Sequence, residues 1–145
     1  MNLNAADGGT KESAWQGQPL ATFWIISNEL NNPKPLTCQD DVKRTGVPMF
    51  AQLTSKNLSY FVGLNASVTN PASILTGDRN LCINGRPTNG FVQISNSSVV
   101  TWGADIHKHQ GNIGLADGSA HQVTDPLLLK TLQSTALATN RFVIP

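Results

Sequence analysis

Asp105, His107 and His109 alternate along one stretch, so on an extended strand their side chains would share a face, and His121 could approach from a neighbouring strand. Imidazoles and a carboxylate in that arrangement are ligands for a divalent metal. Zinc in a structural site takes four ligands held by outer hydrogen bonds, and this spacing names no fourth. The alternative is that His107 supports a turn while His109 and His121 face solvent.

A second group of acids suits harder cations. Asp40 and Asp41 are adjacent and Asp78 lies in a Gly-Asp-Arg-Asn loop; calcium takes several such oxygens. Lys43 and Arg44 follow Asp41 closely, so the same acids also read as a self-compensated surface loop, with Asp78 capping its own loop and Arg79 in an ion pair.

His107 with Asp117 has the composition of a catalytic dyad, and Ser119 is near in sequence. A dyad needs an activated nucleophile and an oxyanion site, and Ser119 has no strand-turn-helix context to present it. The expectation is that the chain is not an enzyme. Gly111-Asn112-Ile113-Gly114 opens no helix, so it is no phosphate loop. Trp24 and Trp102 read as core or interface residues; a carbohydrate platform would instead require exposed rings along one groove. Cys38 and Cys82 lie far apart in sequence with no zinc-like spacing, and either a disulfide or two independent thiols is open.

The elements that must position these residues follow from periodicity. Asp7 to Gln18 is polar and reads as linker. Leu20, Phe23, Trp24 and Leu30 recur at helical spacing, predicting an amphipathic helix from Pro19 to about Leu30, ended by Asn31-Asn32-Pro33. Lys34 to Leu58 reads as loop with a short strand near Leu36 to Cys38. Strands are predicted at Leu58–Leu64, Ser73–Thr76, Phe91–Ser95 and Val99–Trp102, with Leu81 to Gly90 an exposed loop. Asn112 to Val123 reads as a hairpin in which Asp117-Gly118 supplies the positive-φ pair of a tight primed turn and His107 reaches the Asp117 carboxylate. Thr124 or Asp125 caps a helix with Pro126 in its first turn, and Asn140 to Pro145 ends the chain as a short strand or along an edge. Strands in hairpin succession with helices near both ends predict an α+β fold with an antiparallel sheet.

Composition narrows the partners. A 145-residue chain is long enough for one sizeable core. Net charge is +1 with 13% charged residues, which leaves no basic field for nucleic acid. No apolar run reaches the roughly 18 residues of a membrane span.

His107, nine intervening residues, then Asp117-Gly118 resembles the H-X9-DG motif of prepilin-like proteins of type II secretion and type IV pilus systems. The likeness extends through ordered blocks: Asn28-Glu29-Leu30 with Pro33-Lys34, Cys38 with Asp40-Asp41, Ser59 to Leu64, Gly77 to Asn80, Gly111 to Ser119, and Asn140 to Pro145. The resemblance implies a pilin-like fold and a structural role: the periplasmic or cell-envelope head of a pseudopilin, held in the inner membrane by an apolar N-terminal helix before assembly. Its partners would be other pseudopilin or pilin subunits and secretion-system components, with the soluble head a monomer. A loop calcium, as in major pseudopilins, would fall on Asp40 and Asp41. On this view residues 1–18 are a linker following a removed helix and 19–145 a single head; Met1 as the natural start of a short paralogue is the alternative. A secreted ligand- or metal-binding module on the same fold is the competing function.

Overall fold

The computed structural model describes residues 4–145, so the first three residues of the stretch 1–18 read as linker lie outside the described residues. Among the described residues four α-helices, α1 (Lys11–Trp15), α2 (Leu20–Ile25), α3 (Ser27–Leu30) and α4 (Asp125–Ser134), accompany nine strands. The strands are β1 (Tyr60–Gly63), β2 (Ile74–Asp78), β3 (Leu81–Ile83), β4 (Arg86–Pro87), β5 (Gly90–Ser95), β6 (Val100–Trp102), β7 (Gln110–Leu115), β8 (Ala120–Thr124) and β9 (Thr139–Ile144). Six form an antiparallel sheet in the order β5-β9-β1-β2-β7-β8, and β4-β3-β6 form a second, smaller antiparallel sheet. The predicted α+β class with antiparallel pairing is what the chain adopts.

The central strands β1 and β9 of the large sheet are buried on both faces, whereas the edge strand β8 is largely exposed. Phe61, Ile113, Phe142 and Ile144 pack with Trp102, Val123, Leu128 and Leu132 beneath α4 and the small sheet. Val62, Leu64 and Val143, one residue out of phase on the same strands, pack with Ala14, Phe23, Leu36, Leu53 and Leu58 on the other side. Consecutive apolar residues such as Phe142-Val143-Ile144 therefore mark a strand covered on both sides, and β9 lies between β5 and β1 rather than along an edge.

The N-terminal region departs from its pattern. The helix predicted over Pro19 to Leu30 is interrupted at Ile26 (φ −92°, ψ 16°) into α2 and α3. Bulky Trp24, Ile25 and Ile26 are poor helix formers in succession, and all three remain exposed while Phe23 is buried. The polar stretch read as linker contains α1, whose Ala14 is buried and whose Trp15 stacks on Phe91 at 5.1 Å between ring centroids. Ala14 in the core and Trp15 on Phe91 seat it against the sheet, and the Thr10 and Thr22 hydroxyls, 3.0 Å apart, tie its start to α2. An apolar groove of about 600 Å³ lies between this region and the sheet, lined by Phe23, Ile25, Ile26, Tyr60, Val62 and Leu75.

At three places the structure differs from the local pattern. Leu81 to Gly90, exposed over Asn84 to Pro87 as expected, is a hairpin rather than a loop: Asn84 (φ 51°) and Gly85 (φ 75°) form the two-residue turn joining β3 to β4. At Asp117-Gly118 only Gly118 has positive φ, at 87°, and Gly118 N–H donates to Leu115 O while Leu115 N–H donates to Ser119 O. The result is a three-residue loop with glycine in the left-handed position. The predicted strand near Leu36–Cys38 is instead a 3-10 turn over Lys34–Leu36. Thr124 precedes α4 without a side-chain cap, and Asp125 Oδ1 instead accepts the Trp102 N–H at 2.7 Å, tying β6 to the helix start.

Candidate functional site

A bulge in β2 decides which side chains meet. Ile74 lies opposite Leu115 but Thr76 lies opposite Gly114, so β2 advances two residues while β7 advances one. Ile74 accordingly belongs to the α4-side core. Thr76 and Asp78 turn to the other face, where Asp78 sits opposite Tyr60 on β1. Asp78 is fully buried there and accepts the Asn112 backbone N–H at 2.6 Å and its Nδ2 at 3.1 Å, both through Oδ2.

The irregular segment between α3 and β1 covers this end of the sheet. Asp41 is its anchor: Arg79 Nε and Nη2 donate to Asp41 Oδ2 and Oδ1, both at 2.6 Å, and Ser59 Oγ donates to Oδ2 at 2.9 Å. That anchor sets Cys38 and Asp40 over Asp78. From the other side comes a tight loop in which His107, Lys108 and His109 all have left-handed backbone, φ 52°, 51° and 65°. Three consecutive residues of this kind are costly without glycine, and the loop is held by buried Ile106 and by Asn80 Nδ2 donating to the carbonyls of Gly103, Ile106 and Gln110.

His107 thereby stands at the centre of a polar cluster. Its Nδ1 lies 2.8 Å from Asp40 Oδ2. Its Nε2 lies 3.5 Å from Cys38 Sγ, 3.5 Å from Asp78 Oδ2 and 3.1 Å from Asn112 Nδ2. Asp40 accepting from Nδ1–H leaves the lone pair on Nε2 facing Cys38 and Asp78. Burial pushes the Asp78 carboxyl up, against the pull of the Asn112 N–H and His107. Burial likewise raises the Cys38 thiol, and the Asp78 and Asp40 charges add to it. The Tyr60 phenol, beside Cys38, is pushed up to about 12, first by burial.

These positions correct several expectations. His107 does not pin the Asp117 turn: Asp117 Oδ1 accepts the Ser119 N–H at 2.8 Å and the Ser119 Oγ–H at 2.7 Å, and His107 lies at the opposite end of β7. Asp105, His107 and His109 do not share a strand face. Asp105 pairs with Lys43 at 2.5 Å, and His109 Nδ1 lies 3.2 Å from Trp102 O. His121 Nε2 lies 2.9 Å from the Ser119 hydroxyl, away from His107. Asp40 and Asp41 diverge, one to His107 and the other to Arg79, so they do not form a paired oxygen site for calcium. Asp78 is not a loop cap. Cys38 and Cys82 are both free thiols. Trp102 is buried at 1% exposure and presents no ring to a ligand.

Cys38, His107 and Asp40 follow one another in the order nucleophile, base and orienting acid. The surroundings oppose that chemistry. A reactive cysteine needs a stabilised thiolate, whereas burial and two carboxylates favour the Cys38 thiol. Asp78 adds an acceptor at the place where an acyl-transfer site needs donors. Cys38, Asp78 and His107 do offer sulfur, oxygen and nitrogen atoms within 4.8 Å of one another, a set able to hold a metal ion. Sequence reasoning does not single out Cys38 and Asn112 as site residues; the available signal is the polar Asn112 in the middle of β7, between Gly111 and Ile113. Comparison with family models, curated proteins and solved structures found no match to this chain.

Proposed function

We propose that this chain is a non-enzymatic structural subunit, the globular head of a pseudopilin-like protein of a type II secretion or type IV pilus-like system. The supporting observation is how residues of the resembling blocks are used. Asp41 bonds Arg79 and Ser59, Asp78 bonds Asn112, and His107 bonds Asp40 and Asn112, so blocks far apart in sequence meet by bonding one another. Polar atoms committed in this way hold the 34–58 segment and the 103–109 loop on the sheet. That is a fold-organising role, consistent with a head whose motif residues position chain segments.

On this reading the fold is pilin-like, the partners are other pseudopilin or pilin subunits and secretion-system components, and the location is the periplasm or cell envelope. An apolar N-terminal helix anchors the full-length protein in the inner membrane before assembly. Filament assembly through that helix leaves the isolated head a monomer. The test is the reading frame immediately upstream of Met1. A basic leader, a Gly or Ala cleavage site and an apolar helix with an early Glu are expected. A frame starting at Met1, or a concentration-independent oligomer in sedimentation, overturns the proposal. The metal-binding alternative is favoured by one observation, the Cys38, Asp78 and His107 group.

A further inference from the structure

We propose that Cys38 Sγ, His107 Nε2 and Asp78 Oδ2 bind one zinc ion, with Asp40 as the residue that orients His107. Ligand atoms around a tetrahedral zinc with bonds of about 2.0 to 2.3 Å stand roughly 3.3 to 3.6 Å apart. His107 Nε2 lies 3.5 Å from each of the other two ligand atoms, and the whole set falls within 4.8 Å. Little movement is required to close on an ion.

Three further observations point to a cation. Asp78 has no exposed surface, and among the described residues no Lys or Arg pairs with it, because its neighbour Arg79 is turned to Asp41. Its Oδ1 is buried without a hydrogen-bond partner. A buried carboxylate in that state is costly unless it takes up a proton or a cation compensates it. Asp40 holds His107 from behind at Nδ1, 2.8 Å away, which is the carboxylate-histidine arrangement that orients a metal-binding imidazole. A polar cleft of about 670 Å³ borders the cluster on its Asp40 side, and His107, whose side chain is 17% exposed, forms the wall between that cleft and the buried Asp78.

The donor set selects the ion. Thiolate and imidazole suit zinc and are poor ligands for calcium or magnesium, which favour oxygen. Binding converts the Cys38 thiol to a thiolate with release of one proton to solvent, while His107 binds as neutral imidazole. One thiolate and one carboxylate then cancel the two charges of the ion. The Asn112 amide, whose Nδ2 lies 3.1 Å from both His107 Nε2 and Asp78 Oδ2, must turn aside to admit the ion.

The test uses the reduced, chelator-stripped protein. Cobalt(II) is added first as an optical probe, followed by calorimetric titration with zinc chloride. One ion per chain and a cobalt-thiolate charge-transfer band are expected, with calcium chloride producing neither effect. Cys38→Ser should abolish the band and weaken zinc binding by about 100-fold or more; Asp40→Asn should weaken it by about 10- to 100-fold with the stoichiometry kept. Zinc should also protect Cys38, but not Cys82, from alkylation in the wild-type protein, a readout that does not depend on any variant folding. Absence of the band, equal alkylation of the two cysteines with and without zinc, or unchanged affinity in Cys38→Ser overturns the proposal.

Discussion

Arg79 grips Asp41 through two parallel bonds of 2.6 Å, and neither side chain has appreciable contact with water: Asp41 is fully covered and Arg79 is 12% exposed. This fork joins an irregular loop to the end of β2. Breaking it leaves a buried carboxylate without its cation. Arg79→Met should therefore cost about 3 to 5 kcal/mol in urea denaturation, and Arg79→Lys should recover only part because an ammonium cannot reproduce the fork. A loss below about 1 kcal/mol would show that the loop is held by other contacts.

The same pair predicts an acid limb of stability. Burial pushes the Asp41 carboxyl up, but the Arg79 and Ser59 bonds together outweigh it and hold it below its ordinary value of 3.8. With the folded value depressed, the contribution is complete above the ordinary value and is lost as pH falls through the folded one. Denaturation curves between neutral pH and about pH 2 should show a smaller acid loss for Asp41→Asn than for the wild type.

Lys108 occupies the middle of the left-handed run and its side chain is exposed. Glycine there removes a backbone penalty of about 1 to 2 kcal/mol and adds unfolded-state entropy worth about 0.5 to 1. Lys108→Gly should raise stability by up to about 1 kcal/mol, whereas Lys108→Val, β-branched, should lower it. Thermal melts of the two variants moving in the same direction would contradict the loop geometry.

His107 and Asp117 should behave independently. β7, six residues long at about 3.4 Å each, separates them, and each has its own partners. The Tm changes of His107→Ala and Asp117→Ala should add in the double variant; marked non-additivity would restore a direct link between them.

Gly111 presents its α-carbon to the Trp102 ring, and a β-carbon there would come within 2.5 Å of ring atoms. Trp102 is buried and cannot swing to solvent. Gly111→Ala should cost about 1 to 3 kcal/mol and disturb the near-ultraviolet circular dichroism of the tryptophan. An unchanged spectrum and stability would show that β7 and Trp102 pack less closely.

Local pattern determined much of this fold. The strand signals over Leu58–Leu64 and Phe91–Ser95, the Pro126 helix start and the Asp117-Gly118 hairpin each correspond to an observed element, because each depends on neighbouring residues. Asn84-Gly85 carried an equally local hairpin signal, obscured by the flanking Pro and Gly residues that suggest a loop. The candidate ligands Asp78 and His107 were recognisable as residue types, but their partners were not. Alternation from Ile74 would put Asp78 in the α4-side core; the single extra residue in β2 turns it to face Tyr60. His107 meets Asp40, Cys38 and Asn112, not Asp117, because a left-handed loop reverses the chain before β7 begins. Bulges and loop reversals depend on what packs across the sheet, so only the tertiary structure decided which side chains share the site.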